Sequence, residues 1–221
     1  MIRTIGWLVV VTVLGWVFYP PVAYAQDDFL TWHAVTGQYA KPGKWTLGVA
    51  GELRFDDDSS HLCFIRATHM ARYQWRDDLA FDGNVSYMRQ RLVFGPEIDN
   101  VRAELALTPR WKLGQRTQFD VRNQLELWWR EGDVADDVLY RVYPRFVFQL
   151  GGSSRARALI VGNELLFAKE LDGLFQNRFY PIGVTLAVGR GWVDVYTMVF
   201  SNDLPAGDWV HGFVVGQNWR F

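Results

Sequence analysis

Residues 209–221 read WVHGFVVGQNWRF, a stretch that alternates in character and closes on an aromatic residue. Trp219 and Phe221 fall on one face of a strand, because successive side chains of a strand point to opposite sides. In a soluble protein that apolar face would meet water, and soluble proteins rarely expose such surface. The stretch therefore predicts a strand whose outward face contacts something other than water.

The last six residues of this stretch resemble the C-terminal signal that Gram-negative outer-membrane barrels present for assembly. Gly216, Trp219 and Phe221 stand at its glycine, aromatic and terminal aromatic positions, while Val214 departs from it where a polar residue is usual. The resemblance implies an outer-membrane barrel that the barrel-assembly machinery recognises. It also predicts an export signal at the other end of the chain.

Residues 1–25 have the features of a cleaved signal peptide. Arg3 supplies the positive start, residues 5–18 are apolar, and residues 23–25 form a small-x-small cleavage site. The apolar run is shorter than the ~20 residues that a spanning helix needs. We therefore expect cleavage after residue 25 and a barrel over residues 26–221, because only a helix or a closed sheet satisfies the backbone in hydrocarbon.

Composition argues against several classes of partner and cofactor. Removing the signal peptide takes away one of the 23 basic residues, so 22 basic residues face 24 acidic ones and nothing resembles a nucleic-acid-binding patch. Cys63 is the only cysteine, so no internal disulfide can form, and no Cys/His spacing suits zinc. We expect no metal and no cofactor. The 11 tryptophans are typical of a barrel with rings at two membrane interfaces.

Alternation with a period of two runs through the mature chain. In residues 101–112, for example, Val101 and Leu105 lie on one face and Arg102 and Glu104 on the other. Such segments run for roughly 9 to 15 residues, which is the length that a tilted strand needs to cross a bilayer. The pattern predicts an all-β fold, a single antiparallel transmembrane β-barrel with an apolar face toward lipid and a polar face toward the interior.

Short and longer connections alternate along the chain, as periplasmic turns and extracellular loops do in outer-membrane barrels. The predicted short turns are residues 41–44, 76–78, 114–115, 151–154 and 189–191. The predicted longer loops are residues 56–60, 94–100, 131–137, 169–176 and 201–208. Tryptophans beside them predict two interface girdles. One holds Trp45, Trp75, Trp111, Trp192 and Trp219 on the turn side, and the other holds Trp129 and Trp209 on the loop side.

The strand number is counted back from a periplasmic Phe221. Candidate segments number about eleven, but bacterial barrels normally have an even number of strands. Taking residues 29–40 as a spanning strand would also begin the mature chain outside the cell. We therefore predict ten spanning strands from Trp45 onward, with residues 26–44 as a candidate non-spanning segment. Twelve strands are the alternative.

Charged side chains of both signs fall on the predicted interior face. They are Glu52, Arg54, Arg66, Arg72, Asp82, Arg102, Glu104, Arg110, Asp120, Arg122, Glu126, Arg141, Arg145, Glu164 and Asp194. Arginine predominates over lysine, and its planar fork suits pairing with carboxylates where water is scarce. The favoured interpretation is a structural ion-pair network that fills a narrow lumen. The alternative is a lumen that selects small anions through Arg102, Arg122, Arg141 and Arg145.

A lipid-modifying hydrolase or acyltransferase is the competing class of function. Such an enzyme needs a nucleophile with a base within hydrogen-bond reach. His61, Cys63 and His69 share one strand face and are the candidates for that role, but no third residue is evident to orient them. The sequence favours a non-enzymatic barrel, with a packing cysteine beside an interfacial histidine.

Four diffuse motifs recur from the beginning of the mature chain to its end. They are the Trp32 strand, residues 45–55, the Asn177-Arg178-Phe179 entry to a late strand, and residues 219–221. Together they resemble the domain-of-unknown-function family DUF2490 of small Gram-negative outer-membrane barrels. The resemblance implies a barrel surrounded by outer-membrane lipid and lipopolysaccharide, and it implies no reaction and no catalytic residues.

Overall fold

The computed structural model describes residues 29–40, 43–56, 60–91, 97–130, 137–151, 155–168, 173–202 and 209–220. The strands are β1 (Phe29–Ala40), β2 (Trp45–Asp56), β3 (His61–Arg76), β4 (Leu79–Arg91), β5 (Glu97–Lys112), β6 (Thr117–Arg130), β7 (Asp137–Gln149), β8 (Ala156–Ala168), β9 (Gly173–Val188), β10 (Gly191–Asn202) and β11 (Trp209–Arg220). These ranges contain no helix, and hence none that could span a membrane. The predicted signal peptide and Phe221 lie outside them.

The strands close into a single barrel, which confirms the all-β prediction. Consecutive strands are antiparallel, but β1 and β11 pair in parallel, from Phe29 opposite His211 to Gln38 opposite Arg220. The prediction of ten strands is wrong, and the alternative of twelve is wrong as well, because the described residues form eleven. A parallel seam allows an odd number of strands to close, so residues 29–40 form a full strand with a partner on each side.

The connections divide between two ends of the barrel. We call the end at which β2, β4, β6, β8 and β10 begin the turn end, and the end at which β3, β5, β7, β9 and β11 begin the loop end. The connections at the two ends differ less in length than predicted, because β5 already begins at Glu97 and β9 at Gly173. β1 begins at the loop end, since its Thr31 pairs with Phe55 of β2.

The barrel is polar inside and apolar outside. Buried charged side chains include Glu52, Asp82, Arg102, Glu104, Asp120, Glu126, Glu164 and Arg178. Exposed large apolar side chains include Val35, Val49, Leu53, Ile65, Val85, Leu105, Leu125, Phe146, Leu159 and Ile182. This distribution is the reverse of that in a soluble domain, in which apolar side chains are buried and unpaired charges are exposed.

One sector of the interior is apolar. Tyr180, Met198 and Phe200 form a buried cluster on β9 and β10, and Leu30 and Trp32 of β1 pack against it. These strands therefore fill their side of the lumen mainly with apolar and aromatic side chains, although they also contribute the interior charges Arg178 and Asp194.

Close approach of aromatic rings to the inner wall depends on glycine. The Tyr196 ring lies over Gly183, its cross-strand partner, so a Cβ at Gly183 would stand 2.3 Å from Tyr196 Cδ1. The ring cannot easily withdraw, because it packs edge-on against Tyr180 with ring centroids 5.9 Å apart. We expect Gly183→Ala to lower the free energy of unfolding by about 1–3 kcal/mol, the usual cost of overpacking. Urea unfolding of the folded barrel followed by tryptophan fluorescence would measure it.

Gly83 provides the matched control for that substitution. It also lies within a strand, but a Cβ there would meet only Leu105 Cδ2, at 4.0 Å. Gly83→Ala should therefore leave stability unchanged or slightly raised. Replacing Tyr196 by leucine should recover part of the loss in the Gly183→Ala background. Equal effects at the two glycines would contradict the steric explanation.

Candidate functional site

A continuous set of ion pairs lines the inner wall in the loop-end half of the barrel. We call it the charge ring. Its members are Glu52, Arg54, Arg66, Arg102, Glu104, Glu126, Arg141, Glu164 and Arg178. Strands β2, β3 and β5 to β9 each supply one or two members, because every second residue of a strand faces the interior.

The first half of the charge ring joins β2 to β5. Glu52 accepts from Arg54 on its own strand, at 2.5 Å from Nε to Oε1, and from Arg66 on β3. Arg66 then reaches Glu104 across β4, with 3.9 Å between Nη1 and Oε1. Glu104 also pairs with Arg102, two residues earlier on β5. The ion pairs thus connect strands that are not neighbours as well as strands that are.

The second half of the charge ring joins β5 to β9. Glu126 is fully buried and lies 3.2 Å from Arg102 and 2.8 Å from Arg141. Arg141 also pairs with Glu164 at 2.7 Å, and Glu164 pairs with Arg178 at 3.0 Å. Every carboxylate of the ring therefore lies between two guanidinium groups, which offsets the cost of taking it out of water.

Trp32 closes the ring on the side where β10 and β11 contribute apolar residues. The guanidinium carbon of Arg54 lies 3.9 Å from the Trp32 ring centroid, and that of Arg178 lies 5.0 Å from it. Both are cation–π distances. Because the ring closes through an aromatic face instead of a carboxylate, its five arginines face only four glutamates.

A second set of charges, which we call the turn-end group, lies nearer the turn end of the barrel than the charge ring does. Its members are Arg72, Asp82, Arg110, Asp120, Arg122, Arg145 and Asp194. Asp82 lies between Arg122 at 2.8 Å and Arg72 at 3.7 Å. Asp120 accepts two hydrogen bonds from Arg145, at 2.5 and 3.2 Å. Arg110 has no ion-pair partner in the part of the chain that is described, and its Nε is buried without an acceptor.

The charge ring and the turn-end group together carry an excess of positive charge. The charge ring and the turn-end group together hold nine arginines and seven carboxylates, a difference of two positive charges. Neutral donors surround the carboxylate that has no arginine in direct contact. Asp194 accepts hydrogen bonds from Thr185 at 2.6 Å, Trp192 at 3.1 Å and Asn218 at 3.1 Å.

A cavity of about 240 Å³ lies inside the barrel between these two sets of charges. Its lining residues include the arginines Arg66, Arg102, Arg122 and Arg141 and the carboxylates Glu52 and Glu104. On the facing wall, β1 and β2 contribute the small side chains of Ala34, Thr36 and Ala50. The cavity is thus small, and four of its six charged lining residues are arginines.

The structure places all fifteen predicted interior charges on the inner wall, where they line the barrel as the two sets described above. Arg178 and Trp32 are interior residues that were not predicted, although both lie in the motifs quoted for the family resemblance. Arg178 pairs with Glu164 across β8 and β9, and the polar positions 176 and 178 of that strand were the available signal.

The tryptophans of the two predicted girdles do not all lie on the outer face of the barrel wall. Trp45, Trp75, Trp111 and Trp129 are exposed on the outer face. Trp219 lies on the outward side of β11, opposite in parity to Asn218, whose amide reaches the interior Asp194. Trp192 was placed wrongly, because its indole N–H donates to Asp194 inside the barrel. Trp209 begins β11 at the loop end, where Ser201 is its partner.

The candidate nucleophile and bases do not assemble into a catalytic site. The predicted shared face of His61, Cys63 and His69 is not formed, because the register between β2 and β3 shifts at Cys63. His69 lies on the outer face, whereas His61 lies opposite Asp56 on the other side of the strand, and the described contacts include none between the thiol and either ring. Cys63 Sγ donates to the Arg54 carbonyl at 3.4 Å, and His61 Nδ1 lies 2.7 Å from Asp56 Oδ1. His69 is exposed on the outer face. The hydrolase or acyltransferase alternative therefore gains no support.

The family of this chain is shown by its sequence. The profile of the family described as protein of unknown function (DUF2490) matches residues 29–211. The chain belongs to the DUF2490 family. The match confirms the resemblance and covers β1 to β10 of this DUF2490 protein, together with the start of β11. No curated protein matches the chain.

Two solved structures resemble the DUF2490 barrel. One is the beta domain of the Bordetella autotransporter Brka, which is 12% identical and superposes with a TM-score of 0.51 over 79% of this chain and 83% of that chain. The other is a bacterial polysaccharide outer membrane secretin, 9% identical, with a TM-score of 0.40 over 78% of this chain and 73% of that chain. The likeness to the Brka domain is one of fold alone.

Proposed function

We propose that this DUF2490 protein is an integral β-barrel of a Gram-negative outer membrane, with a structural or narrow-channel role and a charged, largely filled lumen. The observation that carries the proposal is the reversed distribution of side chains. Leu105 is 66% exposed on the outside, and Glu126 is 0% exposed on the inside. An apolar surface costs about 25 cal/mol per Å² in water, so a belt of such side chains around the barrel is stable only against lipid.

The proposed orientation follows from the two ends of the barrel. The turn end faces the periplasm and the loop end faces the cell exterior, as in other outer-membrane barrels. The outer-face tryptophans Trp45, Trp75 and Trp111 then lie near the periplasmic interface, and Trp129 lies near the outer one. The partners proposed on this basis are outer-membrane lipid and lipopolysaccharide, with the barrel-assembly machinery acting on residues 216–221 after export through the signal peptide.

The proposed narrow lumen follows from how the interior is occupied. Wide porins have 16 to 18 strands around an aqueous channel, whereas this barrel has eleven. Ion pairs link non-neighbouring strands, as Arg66 does to Glu104 and Arg122 to Asp82, and an aromatic cluster fills the sector at β9 and β10. The small cavity that Arg66, Arg102, Arg122 and Arg141 border is an open space among the described residues.

Planar-bilayer recording would test the lumen. We expect the refolded wild-type barrel to pass at most a small current, one that prefers anions because arginines border the open space. Replacing Arg122 and Arg141 by glutamine should reduce or abolish that preference. The same change at Arg157, an exposed residue on the outward side of β8, is the control and should have no effect. A large, unselective current, or release of the protein from membranes by carbonate without detergent, would contradict the proposal.

A further inference from the structure

We propose that the interior cavity binds a small tetrahedral oxyanion, of the size and charge of phosphate or sulfate, between Arg66, Arg102, Arg122 and Arg141. The inference rests on the proposed function in one respect, namely that the interior of the barrel is filled with water and not with lipid. It needs no ion current through the barrel.

The first reason is the charge around the cavity. Four guanidinium groups and two carboxylates line the cavity. Both carboxylates are already engaged by arginine, Glu52 by Arg54 and Arg66 and Glu104 by Arg102. The lining therefore has no free carboxylate to attract a cation. Its own charged groups sum to an excess of two positive charges, which Asp82, Glu126 and Glu164 offset in part from outside the lining.

The second reason is that the arginines of the lining have more hydrogen-bond donors than the acceptors around them satisfy. Arg102 is only 3% exposed, and its Nε–H has no acceptor among the described residues. The buried Nε–H of Arg141 also has no acceptor among the described residues. Arginine offers five N–H donors and no acceptor, and a buried donor without a partner costs about 1–3 kcal/mol. An oxyanion would offer several strong acceptors to the guanidinium groups that line the cavity.

The third reason is space. Ala34, Thr36 and Ala50 keep the wall opposite the arginines short, which leaves a cavity of about 240 Å³. A water molecule occupies about 30 Å³ in the liquid, so the cavity can hold a tetrahedral anion together with a few waters. The four arginines come from β3, β5, β6 and β7, and a tetrahedral anion can present oxygens to several of them at once.

Thermal unfolding of the detergent-folded barrel in a phosphate titration would test the site, with chloride keeping the ionic strength constant. A ligand that binds the folded state alone raises the melting temperature in a saturable way. We expect that rise in the wild type, and we expect Arg122→Gln to weaken phosphate binding by roughly tenfold, the effect of losing one charged hydrogen bond. Arg122 is a suitable target because it is 27% exposed and its partner Asp82 keeps Arg72.

Arg72→Gln is the matched control. Arg72 flanks the same carboxylate as Arg122 but does not line the cavity, so this variant should keep the wild-type response to phosphate. Ala50→Leu, which fills the space without changing charge, should lose that response. No saturable rise in the wild type, or an equal loss in the Arg72 and Arg122 variants, would overturn the proposal. A phosphate response in a barrel that passes no current would support the site and leave only the structural role proposed above.

Discussion

Replacing Glu126 by alanine is expected to lower the free energy of unfolding by ~3–5 kcal/mol, the cost of removing one partner from a buried ion pair. Glu126 is 0% exposed and accepts from Arg102 and Arg141. It also accepts from Gln124 at 2.6 Å and from the Trp128 indole at 3.0 Å. Its loss would leave four donors short of an acceptor inside the barrel. Urea unfolding in phospholipid vesicles would measure the change.

One further variant separates charge from volume at this position. Glu126→Gln keeps the size of the side chain but removes its charge, so it should cost less than the alanine variant and more than nothing. Glu97→Ala is the control for an exposed carboxylate. Glu97 is 54% exposed and lies 3.8 Å from Arg89 on the outer side, where solvent screens the pair, so little change is expected. Equal stability of the Glu126 and Glu97 alanine variants would show that the charge ring contributes nothing to stability.

Replacing Leu105 by arginine is expected to cost about 2–4 kcal/mol, the value for a cation on the lipid face at the bilayer midplane. Leu105 lies midway along β5, with Gly83 and Leu125 as its cross-strand partners, and it points away from the barrel. A cation there would be taken into hydrocarbon. The free energy of unfolding in phospholipid vesicles is the measurement.

The same substitution at Leu113 is the control. Leu113 is 59% exposed and follows the end of β5 at the turn end, where the proposed orientation places the membrane interface. A cation near the interface costs only about 0–1 kcal/mol. Equal costs at the two positions, or a gain in stability for the Leu105 variant, would mean that the outer face meets water, and the proposed membrane setting would then be wrong.

The interior was largely predictable, since period-two alternation assigns the inward face of a whole strand once one residue on it is placed. Arg102 and Glu104 therefore followed from Val101 and Leu105. Trp192 was misplaced because tryptophan serves at a membrane interface and as a hydrogen-bond donor inside a barrel equally well. Its position beside a turn did not distinguish the two roles, whereas the strand parity shared with Asp194 would have done so.

The contacts between predicted residues were not predictable in the same way. Arg66 pairs with Glu104 across β4, and Trp32 makes cation–π contacts with both Arg54 and Arg178. These contacts depend on the curvature of the barrel wall and on the register between strands. Neither the curvature nor the register can be derived from the alternation of side chains along a single strand. The cavity is likewise a product of several strands, because it needs short side chains on β1 and β2 opposite long ones on β3 to β7.

The sequence by itself determined that this chain forms an all-β barrel with an apolar outer face and a charged interior, because those properties depend on side-chain alternation along each strand. Only the tertiary structure decided how the barrel closes. Pairing of Phe29 with His211 joins residues from opposite ends of the chain, and the hydrogen bonds of a parallel seam form between backbones that no local pattern relates. Because of that long-range pairing the barrel has eleven strands, and the arginines and carboxylates line up as a ring around one cavity.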